Sequence, residues 1–575
     1  MQPAARLLLV FVTTTAAVVS LLAAAAEQGD SNNQPRPTRP AGASLGQWQA
    51  SGSGGTVAAG GAEAVDAAIA ILCRGGNAAD AAVATVLALS VTDAHQFCFG
   101  GEVPMIVYDA RRRVVEVVAG QGAAPRLATR EHFAALGGIP GQGIKAAAVP
   151  AVLGACVTVL DRCGTLSFAE VAAPTLSILD RHEHPWHENL ARTLRLLIDA
   201  EKHGGERRRG LRLVEDCFYR GPIAREIDAW SRANGGLIRY SDLATHVTRI
   251  EEPAAATYRG YRVYKCGPWT QGPYLLQTLQ MLEGFDPAQW RADRATAVHL
   301  AVEAMKLALA DRDAWYGDPL FVDVPLAELL QPQYAAVRRA LIDPQRASEQ
   351  LRPGDPRSGK PLRAPEPVGT QATGAIFDTT TCVVADAWGN VVAATPSGFS
   401  GALCPATGVW LGTRLQSFNL IEGHPNCIAP GKRPRITLTP TVVLKDDVPV
   451  IAVSVAGGDL QDQVTLQVLL NLIDLGLSPA EAVTAPRFST AHLIGSFRQT
   501  SPKLASLTVN PGVGRSVIDE LGRRGHRVQV DKDAIGHPSV LVIDGKTGIV
   551  RAAGDPQAGR HAAALPDKPA DRRQR

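Results

Sequence analysis

The sequence predicts an α+β fold, with helices and strands interspersed along its whole length. Three observations carry this. Hydrophobic residues make up 46% of the 575-residue chain, ample for a large core. Apolar residues recur at helical spacing over residues 62–74 and 78–91. Thr-, Cys- and Val-rich runs gather after Thr379, so sheet strands are expected to concentrate there. Length alone would allow several domains.

In chain order, the first folded part is helical. Residues 62–74 end at Gly75-Gly76, a good helix stop, and Asn77 can cap a second helix over 78–91. Both helices are Ala-rich, so they can pack closely in a buried layer. Residues 95–101 read as a loop. Residues 105–109 and 114–118 read as a hairpin turned at Arg111-Arg112-Arg113. Residues 141–173 mix strand and helix signals. Residues 186–246 are polar and helical, with Arg207-Arg208-Arg209 expected in a solvated turn. Residues 258–264 are strand-like, and 275–282 and 296–310 are amphipathic helices.

Charge excludes some partners. The net charge is +3 and charged residues are 20%, so neither nucleic acid nor another polyanion is expected. The end, Asp571-Arg572-Arg573-Gln574-Arg575, reads as a frayed tail. Arg6, the apolar residues 7–22 and Ala23-Ala24-Ala25-Ala26 read as a secretory signal over 1–26. A flexible polar leader follows over 27–45. The protein is therefore expected to be exported, to a periplasm or beyond; an uncleaved anchor is the alternative. No other stretch is long and apolar enough to span a bilayer. Export permits disulfides, and Cys404 with Cys427 is a possible pair across a loop. The connectivity stays open, and nine cysteines leave at least one unpaired. Neither C-x-x-C nor H-E-x-x-H occurs, so no metal or cofactor is predicted.

One stretch carries chemistry: Asp378-Thr379-Thr380-Thr381-Cys382-Val383-Val384-Ala385-Asp386, with Gly389-Asn390 beyond it. Locally it reads as a β-hairpin, with turn residues from Asp386 to Asn390 and a return strand over 391–395. Upstream, the Pro-, Gly- and charge-rich residues 351–369 read as an exposed, cleavable linker. A cut before Thr379 would free an α-amine beside a hydroxyl nucleophile. The amine then serves as general base.

The chain resembles the γ-glutamyltransferases (glutathione hydrolases) and their acylase relatives over residues 55–564. The landmarks are Arg74-Gly75-Gly76-Asn77-Ala78-Ala79-Asp80-Ala81-Ala82, Glu303-Ala304-Met305-Lys306-Leu307-Ala308, Asp311-Arg312-Asp313 and Gly317-Asp318-Pro319. After the Thr379 hairpin come Pro430-Gly431-Lys432-Arg433-Pro434, Thr439-Pro440-Thr441, Gly457-Gly458 and Gly554-Asp555-Pro556. Their order and spacing are specific where each piece alone is weak.

The resemblance implies an N-terminal-nucleophile hydrolase with a four-layer αββα fold. One precursor would be cut between Asp378 and Thr379 into a large subunit, 46–378, and a small one, 379–575. Spacing to Asp386 and Gly389-Asn390 puts the family's nucleophile on Thr379. Its hydroxyl partner falls on Ser397, a Ser where the family usually has Thr. The oxyanion-hole pair falls on Gly457-Gly458; taken alone, these glycines read as a turn after the strand over 450–455. The implied partners are a small-molecule amide and a water or amine acceptor.

The substrate-reading positions depart from the family. Its carboxylate-binding Arg falls on Gln121, and two serines fall on Ile436 and Thr437. The residues that hold the α-amino group fall on Arg414 and Ser417, and a pocket Asn falls on Phe399. Arg414 alone reads equally as a surface charge. Three functions compete: a γ-glutamyl hydrolase or transpeptidase, an acylase of the same machinery, and a non-catalytic binding protein that keeps the fold. Thr379, Ser397 and Gly457-Gly458 argue against the third. A Ser-His-Asp hydrolase fits poorly, because Gly398-Phe399-Ser400-Gly401-Ala402 misses the last glycine of G-x-S-x-G.

Overall fold

The computed structural model describes residues 47–364 and 378–566. The signal, leader, 365–369 part of the linker and Arg-rich tail lie outside the described residues. Two seven-stranded sheets frame the protein. The first runs, edge to edge, Gln49–Gly52, Val550–Gly554, His537–Ile543, Val448–Ala456, Thr441–Lys445, Tyr261–Lys265 and Ala254–Tyr258. The second runs His561–Leu565, Gly55–Ala59, Cys382–Asp386, Val391–Ala394, Met105–Asp109, Val114–Ala119 and Arg249–Glu251. Every neighbouring pair in both is antiparallel.

Period-two geometry sends successive side chains to opposite faces. Cys382 and Val384 join a core shared with helices Ala62–Cys73, Ala78–Thr92 and Val152–Cys163. Val383 and Ala385 instead meet Ala452 and Leu541 of the first sheet. On the far side, Val453 and Val455 pack with helices Pro273–Leu282, Arg294–Trp315 and Gln461–Ile473. Apolar layers therefore lie between the two sheets and between each sheet and its helices. The inner strands are buried on both faces, which is why they read as unbroken apolar runs.

The two N-terminal helices match expectation. Asn77 Oδ1 accepts from the N–H groups of Ala79 at 2.9 Å and Asp80 at 3.1 Å. The Met105–Asp109 and Val114–Ala119 hairpin also forms, with Arg113 at φ 54 in its turn. Among the described residues twelve of nineteen strands follow Thr379, so strands do concentrate there, but seven precede it. The early ones include GTVAA and AAATY, whose Ala and Gly carry little β signal. Other expectations need correction. Residues 141–173 hold no strand, only a short 3-10 turn and helices Val152–Cys163 and Phe168–Leu179. The Arg207 triplet opens helix Arg207–Tyr219. Arg207 donates to the carbonyls of Leu166 at 2.8 Å and Leu160 at 2.6 Å, so it is a tether rather than a solvated turn. Residues 258–264 contain a turn at Arg259-Gly260 between two strands. The linker's first part is anchored: Gly354 N–H donates to Asp311 at 2.8 Å, and Trp315 Nε1 donates to Gly354 at 2.9 Å. All nine cysteines are free thiols, Cys404 and Cys427 included. Among the described residues, no helix is long and apolar enough to cross a membrane.

Asp80, fully buried, explains the Gly-Gly-Asn motif. Its carboxylate accepts from Asn77 N–H (3.0 Å), Thr165 N–H (2.9 Å), Thr165 Oγ1 (2.7 Å) and Leu166 N–H (3.1 Å). Asp80→Ala strands these donors and is expected to cost about 3 kcal/mol, with Asp80→Asn costing roughly half. Urea unfolding checks this, and a cost below about 0.5 kcal/mol would refute the tether.

Candidate active site

Hairpin register brings the two hydroxyls together. Cys382 pairs with Ala394 across the strands Cys382–Asp386 and Val391–Ala394. Three residues further out on each side, Thr379 bridges Ser397. Thr379 Oγ1 lies 3.1 Å from Ser397 Oγ. Thr380 N–H donates to Pro396 O at 2.9 Å, which fixes the strand ends. The turn is held by Asp386, whose Oδ1 accepts from the N–H groups of Trp388 at 2.8 Å and Asn390 at 3.0 Å. Its Oδ2 accepts from Ala78 N–H at 2.9 Å, tying the hairpin to the second helix.

A second segment backs Ser397. Ser397 N–H donates to Glu102 O at 2.9 Å, and Glu102 N–H to Ser397 O at 3.0 Å. Gly398 has φ 102, and a Cβ there would lie 2.8 Å from Glu102 Oε1, so glycine is required. Arg414 arrives on the short turn Arg414–Ser417 with no exposed surface, which rules out a surface charge. Its Nε donates to Glu102 Oε1 at 2.6 Å and its Nη2 to Ser397 Oγ at 2.7 Å. Nη2 also lies 3.6 Å from Asp378 Oδ2. That Oδ2 accepts from Thr413 Oγ1 at 2.7 Å and Phe399 N–H at 3.1 Å.

Proton counting orients the hydroxyls. Ser397 Oγ donates to the Asp378 carbonyl, the bond expected to be cut. Ser397 has one proton, so Thr379 O–H donates to Ser397. The site thus holds Thr379 Oγ beside a carbonyl that is already hydrogen-bonded.

Two carboxylates share one guanidinium here. Burial pushes Glu102 up to about 7, against the pull of Arg414 and with a push from Asp378. Burial likewise raises Asp378, again opposed by Arg414. Arg414 itself is disfavoured by burial but held charged by Glu102 and Asp378. Cys98, the nearby thiol, offers no rival nucleophile. It donates to Gly398 O at 2.9 Å, and burial pushes its pKa well up.

The other nominated side chains lie outside this hydrogen-bonded cluster, which Phe399 joins only through its N–H. Gly457 and Gly458, at φ 140 and 59, form the turn after strand Val448–Ala456. Gly458 O accepts from Gln271 Nε2 at 3.5 Å, and among the described residues no hydrogen bond joins the glycines to Thr379. Their strand is tied to the site through Ser454 Oγ, 3.0 Å from Thr395 Oγ1. Gln121 donates to Gly122 O at 2.8 Å and lines a separate cavity of about 280 Å³ with Asp242, Asp318 and Arg433. Thr437 and Ser417 are buried with hydroxyls lacking a partner among the described residues. Ile436 is buried, its N–H donating to Trp269 O at 3.0 Å. The Phe399 ring meets His95 and Trp410, centroids 5.4 and 5.1 Å away.

Sequence reasoning missed Glu102, Thr413 and Arg560. Arg560 Nη2 donates to Thr379 O at 3.4 Å and Nη1 to Gly60 O at 3.3 Å. None has a local signal, since each acts across a long stretch of chain. It also missed a buried group, His299, Glu303 and His526, whose ligand atoms lie within 4.8 Å of one another. Glu303 there is already bridged to Lys306 and Arg352.

Glu102 generates a pH test. Folded, it keeps its proton up to about pH 7; its ordinary value is 4.5. The folded state therefore binds more protons in that window, and stability present below it is lost as pH rises through it. In Thr379→Ala, expected to stay uncut, the thermal midpoint should fall across the window, and fall less when Glu102→Gln is added. Equal slopes would place the titrating group elsewhere.

The profile of the Gamma-glutamyltranspeptidase family matches residues 64–196 and 183–565. "Glutathione hydrolase proenzyme" of Bacillus subtilis (strain 168) is 30% identical over 533 residues, 86% of this chain and 88% of that protein. "Acylase ACY 1 proenzyme" of Pseudomonas sp. (strain SE83) is 33% identical over 522 residues, 83% of this chain and 88% of that one. The solved cephalosporin acylase from Bacillus halodurans superposes with TM-score 0.75 at 27% identity, covering 93% of this chain and 99% of that one. A family profile spanning most of the chain, and relatives matched over nearly their full length, agree: the chain belongs to the γ-glutamyltranspeptidase family of N-terminal-nucleophile hydrolases.

Proposed function

We propose that this chain is an exported, self-cleaving amidase that works through an acyl-enzyme on Thr379, with an acyl donor other than a standard γ-glutamyl group. The observation that carries it is the 3.1 Å contact of Thr379 Oγ1 with Ser397 Oγ, itself held by Arg414. In this reading the two-sheet body is a four-layer αββα sandwich made of a large subunit, 46–378, and a small subunit, 379–575. Residues 1–26 direct export.

The precursor first cuts itself. Thr379 Oγ attacks the Asp378 carbonyl, which Ser397 polarises, and the resulting ester hydrolyses. The freed Thr379 amine then takes the hydroxyl proton as Oγ attacks a substrate amide. The Gly457 and Gly458 amides are assigned to the developing oxyanion, a role worth roughly 3–4 kcal/mol per donor. The acyl group passes to water or an amine.

Arg414 favours the acylase reading over γ-glutamyl transfer. A γ-glutamyl group carries an α-ammonium, and the resemblance places its binding residues on Arg414 and Ser417. A buried guanidinium there opposes a cation, and Gln121 supplies no charge for the α-carboxylate. The second reading, transfer or hydrolysis of γ-glutamyl from glutathione-like amides, draws support from the name of the Bacillus relative. A non-catalytic role is disfavoured by the Thr379–Ser397 arrangement, which mere binding does not need.

Three measurements test this. Thr379→Ala should stay a single chain on a denaturing gel, and N-terminal sequencing of the parent's small fragment should begin at Thr379. A start at Thr380 or Thr381 would overturn the assignment. Activity should fall on the acid side with an amine-like pKa, about 7.7–8.0 if unperturbed, because the base must be neutral. In kcat/KM, a glutaryl anilide should exceed the γ-glutamyl one by tens- to about a thousandfold, the worth of a buried charged partner. A clear γ-glutamyl preference would restore the second reading.

A further inference from the structure

The body of the protein grips the Asp378 side chain through donors that outlast the cut. Thr413 Oγ1 at 2.7 Å and Phe399 N–H at 3.1 Å donate to Asp378 Oδ2, and Arg414 Nη2 lies 3.6 Å from it. All three belong to the piece that begins at Thr379, whereas Asp378 ends the other piece. Once the carboxylate withdraws, the Thr413 hydroxyl and the Phe399 N–H lose their acceptor in a buried place. Arg414 Nη1 has no partner even with Asp378 present, on a side chain with no exposed surface. These donors surround a space already fitted to a carboxylate.

We propose that this space is the acyl-carboxylate subsite of the mature enzyme, and that Asp378 fills it beforehand as a stand-in for substrate. The inference rests on Thr379 as nucleophile and names the substrate class: amides of short dicarboxylic acids, succinyl in length, without an α-ammonium.

Self-cleavage sets that length. Thr379 Oγ bonds to the Asp378 carbonyl carbon, the C–N bond breaks, and the hydroxyl proton ends on the freed amine. The ester is an acyl-enzyme with two carbons between its carbonyl and its carboxylate. Water then adds to that carbonyl and the C–Oγ bond breaks. Asp378 leaves with a new carboxyl group, and Thr379 Oγ regains its proton. A succinyl amide repeats this spacing from the same oxygen to the same donors. Arg414 stays held by Glu102, and the O–H and N–H donors left vacant suit an anion rather than a cation.

The test uses the self-cleaved protein with succinyl and butanoyl 4-nitroanilides, which match in length and differ in the carboxylate. The succinyl compound is expected to be favoured by about a hundredfold in kcat/KM, the worth of a buried charged partner. Thr413→Val should lower that ratio by about tenfold, and Thr413→Ser should retain it. Succinate alone should raise the thermal midpoint of the mature parent protein, and butanoate should not. Equal turnover of both anilides, or no succinate effect on a protein that cleaves at Thr379, would overturn the subsite while leaving the nucleophile standing. Failure of the parent to cleave at Thr379 would remove the reading beneath it. If Thr413→Val does not mature, the succinate and butanoate comparison on the parent decides.

Discussion

The buried guanidinium of Arg414 is the group on which the site depends. A charge with no access to water must be matched by partners, or it costs several kcal/mol. Arg414 finds Glu102 on one segment and Ser397 and Asp378 on two others. Meeting those partners fixes the three loops relative to one another. It also fixes the proton order, since a Ser397 oxygen that accepts from Arg414 and Thr379 has its own proton left for the Asp378 carbonyl. The second carboxylate exceeds what one guanidinium can balance. Burial above all, with a further push from Asp378, gives Glu102 its high pKa, so the uncut chain loses stability as pH rises through it.

Much of this was legible in the sequence where the determining contacts are local. The hairpin is one, because its turn residues are explicit; that its outward continuation pairs Thr379 with Ser397 came from the family resemblance alone. Asn77 as a cap is another. What was not legible came from distance. Glu102 and Arg560 reach Thr379's neighbourhood from other parts of the chain, and nothing in their flanking residues marks them. The Arg207 triplet reads as solvated because three adjacent arginines usually are, yet Arg207 reaches the carbonyls of Leu160 and Leu166. Ala- and Gly-rich strands were underweighted for a related reason. Small side chains carry weak strand preference but suit strands buried on both faces.

The order of strands in the sheets has a mechanical consequence. In the second sheet, a strand from before residue 378 lies between two from after it: Gly55–Ala59 sits between His561–Leu565 and Cys382–Asp386. In the first sheet, Gln49–Gly52 and Tyr261–Lys265 flank a block of four strands from the later part. A nick at Asp378–Thr379 therefore opens the chain without dividing the body. Separating the pieces would mean stripping hydrogen-bonded ladders out of both sheets together. Such a cut would be topologically silent, leaving the halves woven into one solid. Neither half holds either seven-stranded sheet complete, so each depends on having folded around the other while still joined.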